Sequence, residues 1–136
     1  MSTISHHSAL VYTMVMASAV DNDMTDEELL RIGQLIDRMP VFADYEPDDL
    51  PADAEACADL LGNDDGAQGV IDLIKASLPE KLRETAFAFA CEIVAADLHA
   101  NQEELQLLEA LSYDLEIDPL AAAAIKRGAR ARHMTL

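Results

Sequence analysis

From Glu80 to Ala96 the chain runs seventeen residues without a glycine or proline, and strong helix formers dominate the stretch. Such a segment has one favourable solution, a helix opened by Pro79 at its first position, where the missing amide costs nothing. The rest of the chain has the same character. Gly and Pro number five each, aromatic residues make up 4 % with no Trp, and 51 % of residues are apolar. The core must therefore come from Leu, Ala, Ile, Val and Met, which favours helices over strands. At 136 residues the chain is expected to form one domain that buries roughly two-thirds of its unfolded surface and folds alone.

Charge narrows the function. Nine Lys and Arg against 26 Asp and Glu give a net charge of −17, which excludes nucleic-acid binding through phosphates. The charge is unevenly spread. Between Met39 and Ile74 there is no basic residue, while ten acids fall there: Asp44, Glu46, Asp48, Asp49, Asp53, Glu55, Asp59, Asp64, Asp65 and Asp72. Such a run usually forms a solvated face, and it can attract a basic partner. Four of the nine bases, Lys126, Arg127, Arg130 and Arg132, sit in the final eleven positions, where they complement a helix C-terminus and could meet an acidic surface or anionic lipid.

No Lys or Arg precedes Arg31, and the apolar run from Leu10 to Val20 is broken by Thr13 and Ser18. Neither a signal peptide nor a membrane span is expected. Cys57 and Cys91, 34 residues apart with no C-x-x-C spacing, read as buried reduced thiols of a cytoplasmic protein. Met14, Met16, Met24 and Met39 read as core filler, and His6, His7 and His133, near the termini, as solvated.

Seven helices are expected. The first lies within 4–20, with Leu10, Met14 and Ala17 at helical spacing. Thr25-Asp26-Glu27-Glu28 has the form of a capping box and opens the second, whose apolar face is Leu29, Ile32, Leu35, Ile36 and Met39 and which Pro40 stops. A third spans about 48–61, with Gly62 beyond its end, and a fourth about 66–77. The fifth follows Pro79, the sixth spans 101–115, and Asp118-Pro119 opens the seventh.

An internal repeat links the two ends of this series. At an offset of 76, Ala19, Asp21, Glu27, Glu28 and Leu29 match Ala95, Asp97, Glu103, Glu104 and Leu105. Each copy is an apolar helix, an Asp, a four-residue step to an N-cap (Thr25 or Asn101), and a Glu three positions later. The units cover about 4–39 and 79–115 of a single domain over 1–136, with a basic tail at 126–136. Asp21 continues the row Leu10, Met14, Ala17, and Asp97 continues Leu82, Ala86, Ala90, Ile93. Glu28 heads Ile32, Leu35 and Met39, and Glu104 heads Leu108, Leu111 and Leu115, so both glutamates should face inward. Glu27 instead aligns with Arg31, Gln34 and Arg38 on a solvated face.

Four carboxylates at the ends of apolar rows are costly unless neutralised or hydrogen-bonded. In one reading the glutamates complete capping boxes and the aspartates accept loop amides. In the other, Asp21, Glu28, Asp97 and Glu104 converge on a hard divalent cation. On residue physics alone the capping account is the more economical. An EF-hand is not a match, because with Asp21 as the first loop position the sixth and twelfth are Asp26 and Ile32. A carboxylate di-iron bundle lacks its Glu-x-x-His pairs. A metal-dependent hydrolase built on the same carboxylates has no base or nucleophile to name.

The units Asp21-Asn22-Asp23-Met24-Thr25-Asp26-Glu27-Glu28 and Asp97-Leu98-His99-Ala100-Asn101-Gln102-Glu103-Glu104 resemble the repeated signature of the TerB-like family of bacterial tellurite-resistance and stress systems. That signature is Asp-Gly, a variable residue, an apolar residue, Ser or Thr, two variable residues, then Glu. Asn22 stands for the Gly in the first copy. The second is looser, since Leu98 enters the left-handed conformation poorly. The resemblance covers nearly the whole chain. It implies an all-α bundle of about seven helices whose clustered acids bind a divalent metal, and it shifts the balance toward a site at Asp21, Glu28, Asp97 and Glu104. Oxygen ligands suit calcium, magnesium or manganese better than zinc, for which His99 is the candidate ligand, and Asp23 is a further oxygen donor. The expected protein is non-enzymatic and cytoplasmic, an interaction module for a protein partner near the inner membrane. The alternative is a metal-free adaptor that docks partners through its acidic central face.

Overall fold

The computed structural model describes residues 3–18, 24–96 and 102–136. Among them are seven α-helices and no strand: α1 His6–Ser18, α2 Asp26–Arg38, α3 Leu50–Leu61, α4 Gly66–Ser77, α5 Arg83–Ala96, α6 Gln102–Asp114 and α7 Pro119–Arg132. Short 3-10 turns precede α3 and α5 and follow α2. The expected all-α fold of seven helices is the one observed.

Helix α1 sits at the centre because it has no polar face. Every residue from Ala9 to Ala17 is buried, and a helix that is apolar all round can be stable only when surrounded. Thr13 is accommodated because its hydroxyl donates to the Ala9 carbonyl at 2.8 Å, so its own polar atom is paired inside the core. Helices α3, α4 and α5 enclose α1. Helix α5 is nearly as apolar, with Ala86, Phe87, Phe89, Ala90, Cys91, Ile93 and Val94 buried. It packs on α1 on one side and α7 on the other. Helix α7 buries only Ala122 and Ala129, two small residues seven apart that let it approach α5 closely.

This burial corrects the reading of the row along α1. The row Leu10, Met14, Ala17 does face the core, but so does every other row of α1. Its phase therefore selects no direction for a residue beyond its end.

The outer helices follow their capping signals. Thr25 and Glu28 form the expected capping box, and Pro40 begins a 3-10 turn directly after α2. Asp118 caps α7 by accepting from the amides of Leu120 and Ala121, both at 3.1 Å. Pro79 differs from expectation: it precedes a 3-10 turn at Glu80–Leu82, and α5 begins only at Arg83. The glycine that the backbone requires is Gly66, with φ of 51° at the start of α4, where a Cβ would be strained.

Glu116 also has a positive φ, 57°, in the position after α6 that glycine usually fills. The Ile117 amide reaches back to the Ser112 carbonyl at 2.9 Å, the long bond of a Schellman motif. Its side chain is tied down as well. Lys75 donates to Glu116 at 2.9 Å and Arg83 lies at 3.8 Å, and these cations, Lys75 foremost, hold the Glu116 carboxyl below its ordinary range.

A polar cluster lies at the N-terminal end of α1. Ser8 donates to Asp53 at 3.0 Å and Tyr45 donates to the same carboxylate at 2.7 Å. Burial, reinforced by the Asp53 hydrogen bond, raises the Tyr45 phenol well above its ordinary pKa. His7, expected in solvent, stacks on Phe42 and has its Nε2 2.9 Å from the Val41 carbonyl and 3.2 Å from Asp44. His133 is also engaged, 2.8 Å from Glu92. Aromatic neighbours contributed by the segment after α2 account for His7, and they are not visible from its position near the terminus.

Candidate metal-binding cleft

Two helix ends and two helix starts meet in one place. Ala17 and Ser18 from the last turn of α1, Ile93 near the end of α5, Glu27, Glu28 and Arg31 from the start of α2, and Glu104 from the start of α6 line a cleft of about 150 Å³. The carbonyl ends of α1 and α5 bring the negative poles of two helix dipoles toward it. Glutamates in the first turns of α2 and α6 are stabilised by their own helices' positive poles. Negative charge is thereby concentrated in a small space, with Arg31 as the one cationic side chain among the described residues lining it.

The two predicted glutamates reach the cleft in different states. Glu28 is half-buried; its Oε1 accepts from the Thr25 amide at 3.1 Å and the Thr25 hydroxyl at 3.0 Å, while its own amide donates to Thr25 Oγ1. Capping therefore occupies one oxygen and leaves Oε2 without a hydrogen-bond partner among the described residues. Glu104 is buried, 7 % exposed, on the same stripe as Leu108 and Leu111. Two carboxylates that head the apolar rows of α2 and α6 thus line one cleft.

Asp21 and Asp97 lie outside the described residues, in segments 19–23 and 97–101, as do Asp23, His99 and Asn101. By sequence, Asp21 follows Ser18 by three residues and Asp97 follows Ile93 by four. Among the described residues, no group of three His, Cys, Asp or Glu side chains is arranged to hold a metal ion.

Arg31, expected on a solvated face, is half-buried at the cleft. The signal was available: Arg31 lies three residues after Glu28, which on a helix turns it only about 60° from Glu28. The donors present at the cleft are carboxylates, in keeping with a hard cation. Softer ligands lie elsewhere. Cys57 and Cys91 are buried free thiols, pushed up to about 12 by desolvation, and so remain protonated and poor ligands at neutral pH.

No helix of the described residues is long and apolar enough to cross a membrane. No curated protein and no solved structure matches the chain. The family model for tellurite resistance protein TerB matches residues 7–127, from the start of α1 to well into α7, and the chain belongs to that family.

Proposed function

We propose that this TerB-family protein is a non-enzymatic binding module that holds a hard divalent cation, namely calcium, magnesium or manganese, at the cleft between its two helix pairs. The observation that carries the reading is the joint presence of Glu28 and Glu104 in one small cleft at the ends of α1 and α5. The Asp21 and Asp97 carboxylates, from the segments that follow those ends in sequence, complete the proposed ligand set. The cation would supply the charge neutralisation that a group of inward carboxylates needs. Membership of the family supports a role in tellurite resistance or general stress response, and the two buried free thiols suit the cytoplasm.

Calorimetric titration of chelator-treated protein with calcium, magnesium, manganese and zinc tests this reading. Wild-type protein should bind one of the first three, and the Asp21→Asn/Asp97→Asn double variant should lose that binding. Absence of binding in the wild type contradicts the proposal. Equal binding by the double variant moves the site to the acidic central stretch.

A second reading draws on one specific observation. Of the ten acids between Met39 and Ile74, nine are exposed, and only Asp53 is turned into the fold by Ser8 and Tyr45. This face could dock a basic protein partner, with the basic tail placing the complex at the periphery of the inner membrane. Charge reversal at Asp48, Asp49 and Asp59, which spares Asp53, should abolish capture of such a partner; unchanged capture argues against the face.

A further inference from the structure

On the side of the molecule formed by α5, α6 and α7 lies a groove of about 500 Å³, within the range of small-molecule sites. Its walls are apolar: Val94, Ala95, Leu105, Leu108, Ala129 and Met134 line it. Leu105 is 49 % and Met134 66 % exposed, so apolar surface remains uncovered at the edges of the groove. Three basic side chains, Lys126, Arg130 and His133, also line it, with the Cys91 thiol at its floor.

Two of these are already committed. Lys126 pairs with Glu109 at 3.0 Å, and His133 pairs with Glu92 at 2.8 Å. Arg130 is exposed, and its guanidinium makes no hydrogen bond or ion pair among the described residues. In a chain of net charge −17, an uncommitted guanidinium beside an open apolar groove sets the charge of the occupant. A neutral apolar ligand would leave Arg130 unused. A cationic one would be repelled locally by it.

From this juxtaposition we infer that the groove binds a free medium-chain alkyl carboxylate, its tail along α5 and α6 and its headgroup paired with Arg130. Arg suits this task because its planar fork matches a carboxylate in bidentate geometry. The tail gains affinity by leaving water, so affinity should climb steadily with chain length until the groove is full.

Isothermal titration of the full chain with octanoate, decanoate and dodecanoate, each below its micelle-forming concentration, tests the inference. One ligand per chain is expected, with binding tightening about four-fold per added methylene. Arg130→Gln, an exposed substitution that leaves the packed core untouched, should weaken decanoate about tenfold and leave decanol unchanged. The inference is overturned if no alkanoate binds, if Arg130→Gln has no effect on decanoate, or if the protein binds only phosphatidylglycerol vesicles and no monomeric alkanoate. Self-association in sedimentation that decanoate does not reverse would assign the groove to a second copy, and overturns it equally.

Discussion

Helices α2 and α6 begin with the same pattern, a first-turn glutamate heading an apolar row, yet the fold holds them differently. Helix α6 packs against α1, α4 and α5, and its end is fastened through Glu116 to Lys75 of α4 and Arg83 of α5. Helix α2 rests chiefly on α1 and the turn at Pro40–Phe42. Grooves of about 380 and 440 Å³ run beside it, and Leu30 is 62 % exposed. The glutamates follow their helices: Glu104 is buried, whereas Glu28 is half-buried and engaged with its own cap. The lesson is that a shared local motif fixes where a carboxylate begins, while the surrounding packing decides how rigidly it is presented. The cleft therefore has one firm wall, α6, and one looser wall, α2.

The largest expected effect separates the two walls directly. Leu111→Ala on α6 removes a fully buried side chain and should cost about 3 kcal/mol of global stability in denaturant unfolding. Ile36→Ala on α2, whose side chain lines one of the open grooves, should cost about 2 kcal/mol. Hydrogen exchange should show α2 amides opening locally at a free energy below that of global unfolding, and α6 amides following global unfolding. Equal protection of both helices would mean that α2 is held as firmly as α6.

Arg31→Gln comes next. Removing the cation at the cleft should tighten divalent-ion binding about tenfold at low salt, and the gain should shrink as ionic strength rises. Unchanged affinity would mean that Arg31 does not sense the bound ion.

Much of this architecture was legible in the sequence, for local reasons. Thr25-x-x-Glu28, Pro40 and Asp118-Pro119 are capping and stop signals whose chemistry acts within a few residues, and the structure keeps each of them. The direction of Glu28 and Glu104 was legible because α2 and α6 have a polar face to contrast with the apolar one. Helix α1 defeated the same logic: with Ala9 to Ala17 all buried, no row is special. His7 was misplaced because its neighbours Phe42 and Tyr45 come from another element, whereas Arg31 shares a cleft with Glu28 of its own helix and was readable from their three-residue spacing.

Two smaller effects sharpen the contrast. Thr25→Ala removes the capping hydroxyl and should cost about 1 kcal/mol, appearing as faster exchange in the first turn of α2 with α6 unchanged. Glu116→Gln tests the fastening of α6. Because the Glu116 carboxyl is held below its ordinary range by Lys75 and Arg83, its contribution is present above the unfolded carboxyl's pKa of about 4.3. That contribution is lost as pH falls through the folded value. The stability difference between wild type and Glu116→Gln should therefore be small and constant from pH 6 to 7 and vanish in acid, as read from thermal unfolding at each pH. A difference that grows in acid would contradict the assignment.

Whether glutamates from two separate helix pairs meet one cation is read from paramagnetic relaxation by substoichiometric manganese in isotope-labelled protein, since broadening reports distance from the ion. Amides at the start of α2, around Glu27 to Arg31, and at the start of α6, around Glu103 to Leu105, should broaden together at the same manganese ratio. Broadening confined to the acidic stretch between Asp44 and Asp72, or to one helix start alone, would contradict it.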